Sequence, residues 1–388
     1  MPLGEFLNLK RGYDLPGSQR EDGSVPVVSS AGLSGYHNEA KVAGPGVVTG
    51  RYGTLGEVFY VVEDFWPLNT ALYVQDFKGN DRRFIAYFLR GALKGTTSDK
   101  AAVPGVNRND LHARVVRVPR DVSTQRRIAS ILSAYDDLIQ NNRRRIQLLE
   151  QAARLLYKEW FVHLRFPGHE HAKITNGVPE GWEDVVLASI ITIKHGFAFK
   201  GEFFSDAETS RVLLTPGNVK IGGGLKIDKV KYYAEDAPLP EDYILAPGDL
   251  VVSMTDLSKA SDTLGFAFLV PKLGKLQFLH NQRLGLIEPV DGVPYFRHFM
   301  DQMFRDVRYR GMVKGSATGV SVKHTSPSKI LTYRQPLPPF RRHGVLQLFD
   351  EMVGKMNDQS EKLLQMNEQL TKARDLLLPR LMNGEIPL

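Results

Sequence analysis

The chain has 388 residues, 42% of them hydrophobic and 24% charged, which is enough to fill more than one core and excludes a disordered protein. It has no cysteine, so disulfides, thiolate zinc sites and a cysteine nucleophile are excluded. Lysine plus arginine exceeds aspartate plus glutamate by seven, with a pI near 9.3, which makes a polyanion such as nucleic acid the first partner to test. No apolar run is long enough to span a membrane and no secretory leader stands at Met1, so a cytoplasmic protein without membrane contact is expected.

Residues 1–121 read as a β-rich domain. Short β-prone runs at Pro26 to Ser29, Val47 to Thr49, Val58 to Val62 and Ala71 to Val74 are separated by Gly, Pro, Asn and Asp. Phe84 to Leu93 has the pattern of an amphipathic helix, and Val115 to Val118 that of a last strand before Pro119. Ser123 or Thr124 then supplies the cap of a long helix reaching Phe161, within a helical region 122–165. Ile128, Leu132, Tyr135, Ile139, Asn142, Ile146, Leu149, Ala153, Leu156 and Trp160 recur in steps of four and three, the seam of a helix that pairs with another. Asn142 is the one polar member and reads as a device that fixes register. Roughly 38 residues at about 1.5 Å each make a rod of about 57 Å, a spacer.

Residues 166–181, rich in Pro and Gly, form a linker, and a second domain occupies 182–338. The region 339–388 carries a second seam, Leu346, Phe349, Val353, Met356, Ser360, Leu363, Asn367, Leu370, Arg374 and Leu377. The domain between the helices receives one and launches the other, so the two should pair antiparallel. The second half also repeats the first in order. Leu187 to Phe197 parallels Leu3 to Tyr13, Pro247-Gly248 echoes Pro45-Gly46, and Leu276 to Asn281 matches Phe65 to Asn69. Tyr295 to Phe299 answers Phe84 to Phe88, Gly319-Val320 answers Gly105-Val106, and Arg341-Arg342 answers Arg126-Arg127. The expected fold is α+β: two tandem-repeated α/β domains separated by a long antiparallel two-helix coiled coil, with approximate two-fold symmetry. Such symmetry suits duplex DNA read at half-sites roughly 34 Å, or a multiple of it, apart.

Several stretches then carry a resemblance. They are Gln125-Arg126-Arg127-Ile128-Ala129, Asn142-Arg143-Arg144-Arg145-Ile146, Leu156-Tyr157-Lys158-Glu159-Trp160-Phe161 and Pro179-Glu180-Gly181-Trp182. With Gly50 to Gly56 and the ending Leu378 to Ile386, the chain resembles the DNA specificity subunit of type I restriction-modification systems over essentially its whole length. The first half lacks a counterpart of Pro179 to Trp182. The resemblance implies two target recognition domains, each reading half of a bipartite, asymmetric sequence in double-stranded DNA, on helices that dock two modification subunits. Those partners would hold S-adenosylmethionine and methylate adenine N6. Up to two motor-nuclease subunits would use ATP and Mg. The chain itself would be a non-catalytic subunit with no cofactor of its own.

The residues offer little chemistry of their own. Leu337-Pro338-Pro339-Phe340 resembles the acceptor-Pro-Pro-aromatic box of amino methyltransferases, but leucine cannot accept a hydrogen bond from a flipped base, and two prolines opening a helix is the plainer reading. Gly222-Gly223-Gly224 reads as a turn, Glu39-Ala40-Lys41 and Asp76-Phe77-Lys78 as solvated charge, and His163, His169 and His171 lack a fixed scaffold for a metal. The candidates for DNA contact are polar and basic residues on predicted turns. In the first domain they are Arg51, Tyr52, Lys100, Asn107 and Arg108; in the second, Thr255, Lys259, Asn281, Arg283, Lys314, Ser316, Thr318, Ser321, Lys323 and His324. Arg and Lys suit phosphates or guanine, and Asn suits adenine. Arg143-Arg144-Arg145 should fan over the outer faces of the rod. Two other functions stay open on these residues: a self-contained adenine methyltransferase or nuclease, and a coiled-coil adaptor that binds proteins and no DNA.

Overall fold

A computed structural model describes residues 1–51, 56–93, 107–258, 260–340 and 344–386. Tyr52, Lys100, Lys259 and the doublet Arg341-Arg342 lie outside the described residues. The chain forms two compact units, Met1–Asn142 with Met366–Leu388, and Arg143–Gln365. Each long helix contributes residues to both.

In the first unit, four antiparallel strands run in the order Asn8–Arg11, Ala71–Asp76, Gly46–Gly50, Val58–Val61. The central strand Gly46–Gly50 is buried throughout, and its alternation sends neighbouring side chains to opposite faces. Val47 joins the core beneath the helix Arg82–Leu93, and Val48 packs with Val28 and Phe65 toward a second sheet. That second sheet has the order Gly32–His37, Val25–Ser29, Trp66–Pro67, the last pair parallel. The layers are therefore helix, sheet, sheet. Residues 115–118 do not form the expected strand: Val115 makes a single bridge to Pro2, and the Val116 N–H donates to Met1 O, so the segment ties down the chain start instead.

The second unit repeats the frame strand for strand. Its main sheet runs Ile191–His195, Leu284–Pro289, Leu250–Ser253, Ala267–Leu269, again all antiparallel. Leu250 and Val252 face one core and Val251 another, as Val47 and Val48 do. The second sheet is larger, five strands, but keeps one parallel pair at the corresponding place, Arg211–Leu214 beside Gln277–His280. Two glycines mark the equivalence most sharply. A Cβ on Gly12 would stand 2.2 Å from Leu68 O, and one on Gly196 would stand 2.3 Å from Asn281 O, so both crossings need a residue without a side chain. At the start of the covering helix, Arg82 donates to Pro45 O at 2.7 Å and Arg297 donates to Gly248 O at 3.2 Å.

The first long helix spans Val122–Tyr157 and continues as a π-helical turn over Lys158–Val162. Its cap is not Ser123 or Thr124 but Asp121, directly before the helix start. Asp121 accepts from the Thr124 N–H and from the hydroxyls of Ser123 and Thr124, and these bonds hold its carboxyl well below the usual range. The second long helix spans Val345–Met382. Pro338 and Pro339 precede its start and do not open it; Leu337 and Phe340 beside them are buried in the core of the second unit.

The helices run antiparallel in each unit. In the first, Ile128 and Leu132 near the start of one helix share a core with Leu381 near the end of the other. In the second, Tyr157 and Trp160 pack on Phe349, near the other helix's start. Asn142 is 1% exposed, and its Nδ2 donates to Asn367 Oδ1 at 2.9 Å, so the polar seam residue pairs with a polar partner. The stretches Leu156 to Phe161 and Leu378 to Ile386 thus supply helix ends to a core: Phe161 lies 4.8 Å from Phe299 between ring centroids, and Leu381 is buried.

Candidate nucleic-acid interface

The candidates in the second unit converge. Thr255–Asp256 forms a two-residue strand antiparallel to Lys323–His324, and Thr318 bridges His324 on its other side. Thr318 to His324 is therefore a hairpin laid along the exit of the central strand. Lys314 donates to Ala260 O at 3.0 Å, tying the loop after Asp256 to the helix Val307–Gly315. The turn Asn281 to Arg283 lies beside the same strand exit, because the Met254 N–H donates to Arg283 O at 3.1 Å.

Within this cluster the side chains divide by task. Thr255 is 3% exposed and its hydroxyl sits 3.1 Å from His324 Nδ1, where it supports the exposed imidazole from beneath. Its burial comes from a pairing across nearly seventy residues that local spacing does not reveal. Asn281 Oδ1 accepts the Arg283 N–H at 2.9 Å and shapes the turn that presents the exposed Arg283. Ser316 ends its helix, donating to Val313 O, and the Lys323 ammonium donates to Gly319 O at 2.8 Å, bracing the hairpin. Arg283, Lys314, Thr318, Ser321 and His324 are exposed. At the hairpin tip Val320 is 89% exposed, and on the neighbouring loop Leu257 is 64% exposed, two apolar surfaces that polarity alone did not single out. Phe197, also exposed, borders the Asn281 turn, since the Gln282 N–H donates to its carbonyl.

Buried groups fix the loop behind this surface. Asp256 accepts from the N–H groups of Ser258, Thr263 and Leu264; burial alone would raise its carboxyl, but the bonds from Ser258 and Thr263 outweigh it and hold the group low. Arg310 is 7% exposed, lies 3.8 Å from the Phe266 ring centroid and donates to Ser261 O at 2.9 Å. Sequence reasoning passed over Arg310. Its signal is a basic residue on the buried face of a short helix, next to Tyr309 and one turn before Val313.

Less of the first unit's counterpart is described. Arg51 leaves the central strand as Met254 does, its N–H donating to Thr70 O at 3.0 Å. Asn107 caps the helix Arg108–Ala113 by accepting the Asn109 N–H, and the exposed Arg108 guanidinium donates to Asn109 Oδ1. In the two stretches read as solvated charge, Lys41 closes on Glu39 and Lys78 on Asp76 as surface ion pairs. Gly222, Gly223 and Gly224 all have positive φ and form a turn. Arg143, Arg144 and Arg145 are exposed on the first long helix. No group of carboxylate and histidine side chains among the described residues is arranged to hold a metal.

Residues 1–151 match the family described as the type I restriction modification DNA specificity domain. The type I restriction enzyme MjaVIII specificity subunit of Methanocaldococcus jannaschii is 24% identical over 319 residues, 77% of this chain and 67% of that protein. The EcoBI specificity subunit of Escherichia coli is 24% identical over 210 residues, 54% of this chain and 40% of that one. In fold, the chain is similar to the crystal structure of a type I restriction-modification S subunit from M. genitalium, with a TM-score of 0.57 at 16% identity over 98% of this chain and 95% of that one.

Proposed function

We propose that this chain, a member of the type I restriction-modification DNA specificity family, is the non-catalytic subunit that reads a two-part DNA sequence, one part with each unit, and carries the modification subunits. The observation that carries the reading is the contrast within the repeat: the four-strand frame recurs strand for strand, while the second sheets differ, three strands against five, and the sequences after the two central strands are unlike. A duplicated frame with unlike loops is what a reader of an asymmetric target needs. In the second unit, Arg283, Lys314, Ser321 and His324 supply cationic and polar groups, suited to phosphates and base edges, and Arg51 and Arg108 do so in the first.

Two modification subunits bind each chain, one for each repeat, and bring S-adenosylmethionine; motor-nuclease subunits bring ATP and Mg. The test is a reconstitution. The chain alone should bind duplex DNA weakly, with affinity falling steeply as salt rises, and should transfer no methyl group. The chain with its modification subunits should methylate a two-part site. Methyl transfer by the purified chain alone would contradict the division of labour, and salt-independent or absent DNA binding would favour a protein adaptor.

A further inference from the structure

We infer that Arg310 is a positioning residue for recognition by the second unit: it holds Ser261 in a left-handed backbone conformation, behind the exposed Leu257 that lies beside the Thr318 to His324 hairpin. The inference rests on the reading above. It begins with a cost. Arg310 is almost wholly buried, and although Asp256 and Asp262 lie near enough to favour its charge, burial outweighs them, so keeping that charge inside is expensive. An apolar residue would fill the space more cheaply. Its Nη2 goes instead to the loop, donating to Ser261 O at 2.9 Å and Asp262 O at 3.4 Å, with its guanidinium over the Phe266 ring.

The loop needs that hold. Ser261 has φ +55, a conformation that non-glycine residues adopt reluctantly and keep only when their surroundings impose it. Its carbonyl is the one Arg310 grips. Asp256 gathers three N–H groups at the loop's base, and Lys314, one turn beyond Arg310, fixes Ala260 O. At the far end Gly265, φ +76, packs so closely that a Cβ would stand 2.8 Å from Val313 on the same helix. A loop anchored at four points, with strained backbone and an exposed apolar residue at its start, is built for shape. Shape is what base reading requires and phosphate attraction does not.

The experiment uses the full chain with its modification subunits and measures binding to a cognate duplex, to duplexes altered in either half, and to random DNA. Arg310→Met should lower the preference for the correct second-unit half by about tenfold or more, leaving the other half's preference and the salt slope unchanged. Ser261→Gly, which removes the strain, should recover part of the loss in the Arg310→Met background. Arg310→Lys keeps the charge and a donor but loses the planar guanidinium that lies on the Phe266 ring, should fall between, and carries the test if the Met variant does not fold. Unchanged preference in a folded Arg310→Met or Arg310→Lys chain, equal loss in both halves, or no recovery with Ser261→Gly would overturn the inference. A parent complex that preferred no two-part duplex would overturn the underlying reading, and the unmutated control tells that failure apart.

Discussion

The two units share a frame and differ in what hangs from it. Both place their first strand at the edge, their central strand third, and a glycine where one strand crosses another's carbonyl. Yet the second sheet has three strands in one unit and five in the other, and a buried imidazole, His280, stands in the second unit at the parallel strand where the first has Trp66–Pro67. The shared parts are those where backbone meets backbone, and a change there would break either unit alike. The divergent parts are the loops, held in the second unit by side chains such as Asp256, Arg310 and Lys314, and on the proposed reading these specify different DNA.

The largest test strikes the shared frame. Gly12→Ala and Gly196→Ala should each destabilise their own unit by about 3 kcal/mol or more, since the new Cβ meets a carbonyl that cannot move aside. Chemical unfolding checks this, and unequal effects would argue against equivalence of the crossings. A pH test separates the units next. Burial pulls His280 down to about 4, with its Nε2 against Leu284 O. A depressed histidine contributes stability that is whole above the unfolded value near 6.5 and is lost as pH falls toward 4, so the second unit should lose about 2 kcal/mol between pH 7 and pH 5. His280→Gln should flatten that slope, measured by unfolding midpoints at both pH values.

Smaller effects probe the surface and the seam. Arg283→Ala should weaken cognate binding by about 1–2 kcal/mol and relax preference in one half of the target alone, checked by titration against altered duplexes. Replacing Asn142 and Asn367 together by leucine should leave stability within about 1 kcal/mol of the parent or raise it, because the pair is removed whole and Asn142 Oδ1 has no partner of its own. The expected penalty is looser register between the helices, read out by cross-linking across the seam.

Much of the frame was legible in the sequence because it rests on local pattern. The runs at Val47, Val58 and Ala71 are β-prone and bounded by turn residues, and they became strands within a residue or two. The long helices announced themselves by period. What escaped depended on distant partners. Val115 to Val118 has strand composition but finds only Pro2, and Thr255 looks like a surface hydroxyl until a strand from residue 323 covers it. The cap lies at Asp121 because that carboxylate, directly before the helix start at Val122, accepts the Thr124 N–H with a full charge. Of the candidate site, the exposed residues of the hairpin were readable as polar loop, whereas Arg310, Val320 and Leu257 were not, since burial in one and exposure in the others run against their residue type.

The most direct test maps methylated sites across a genome in cells supplying the modification subunits with either the parent chain or a chain whose Thr318 to His324 hairpin is replaced by a Gly-Ser segment of equal length. One half of the methylated motif should change or become degenerate while the other half stays as it was. If both halves change together, or the motif is untouched although the altered chain is folded, the two units do not read separate parts of the target.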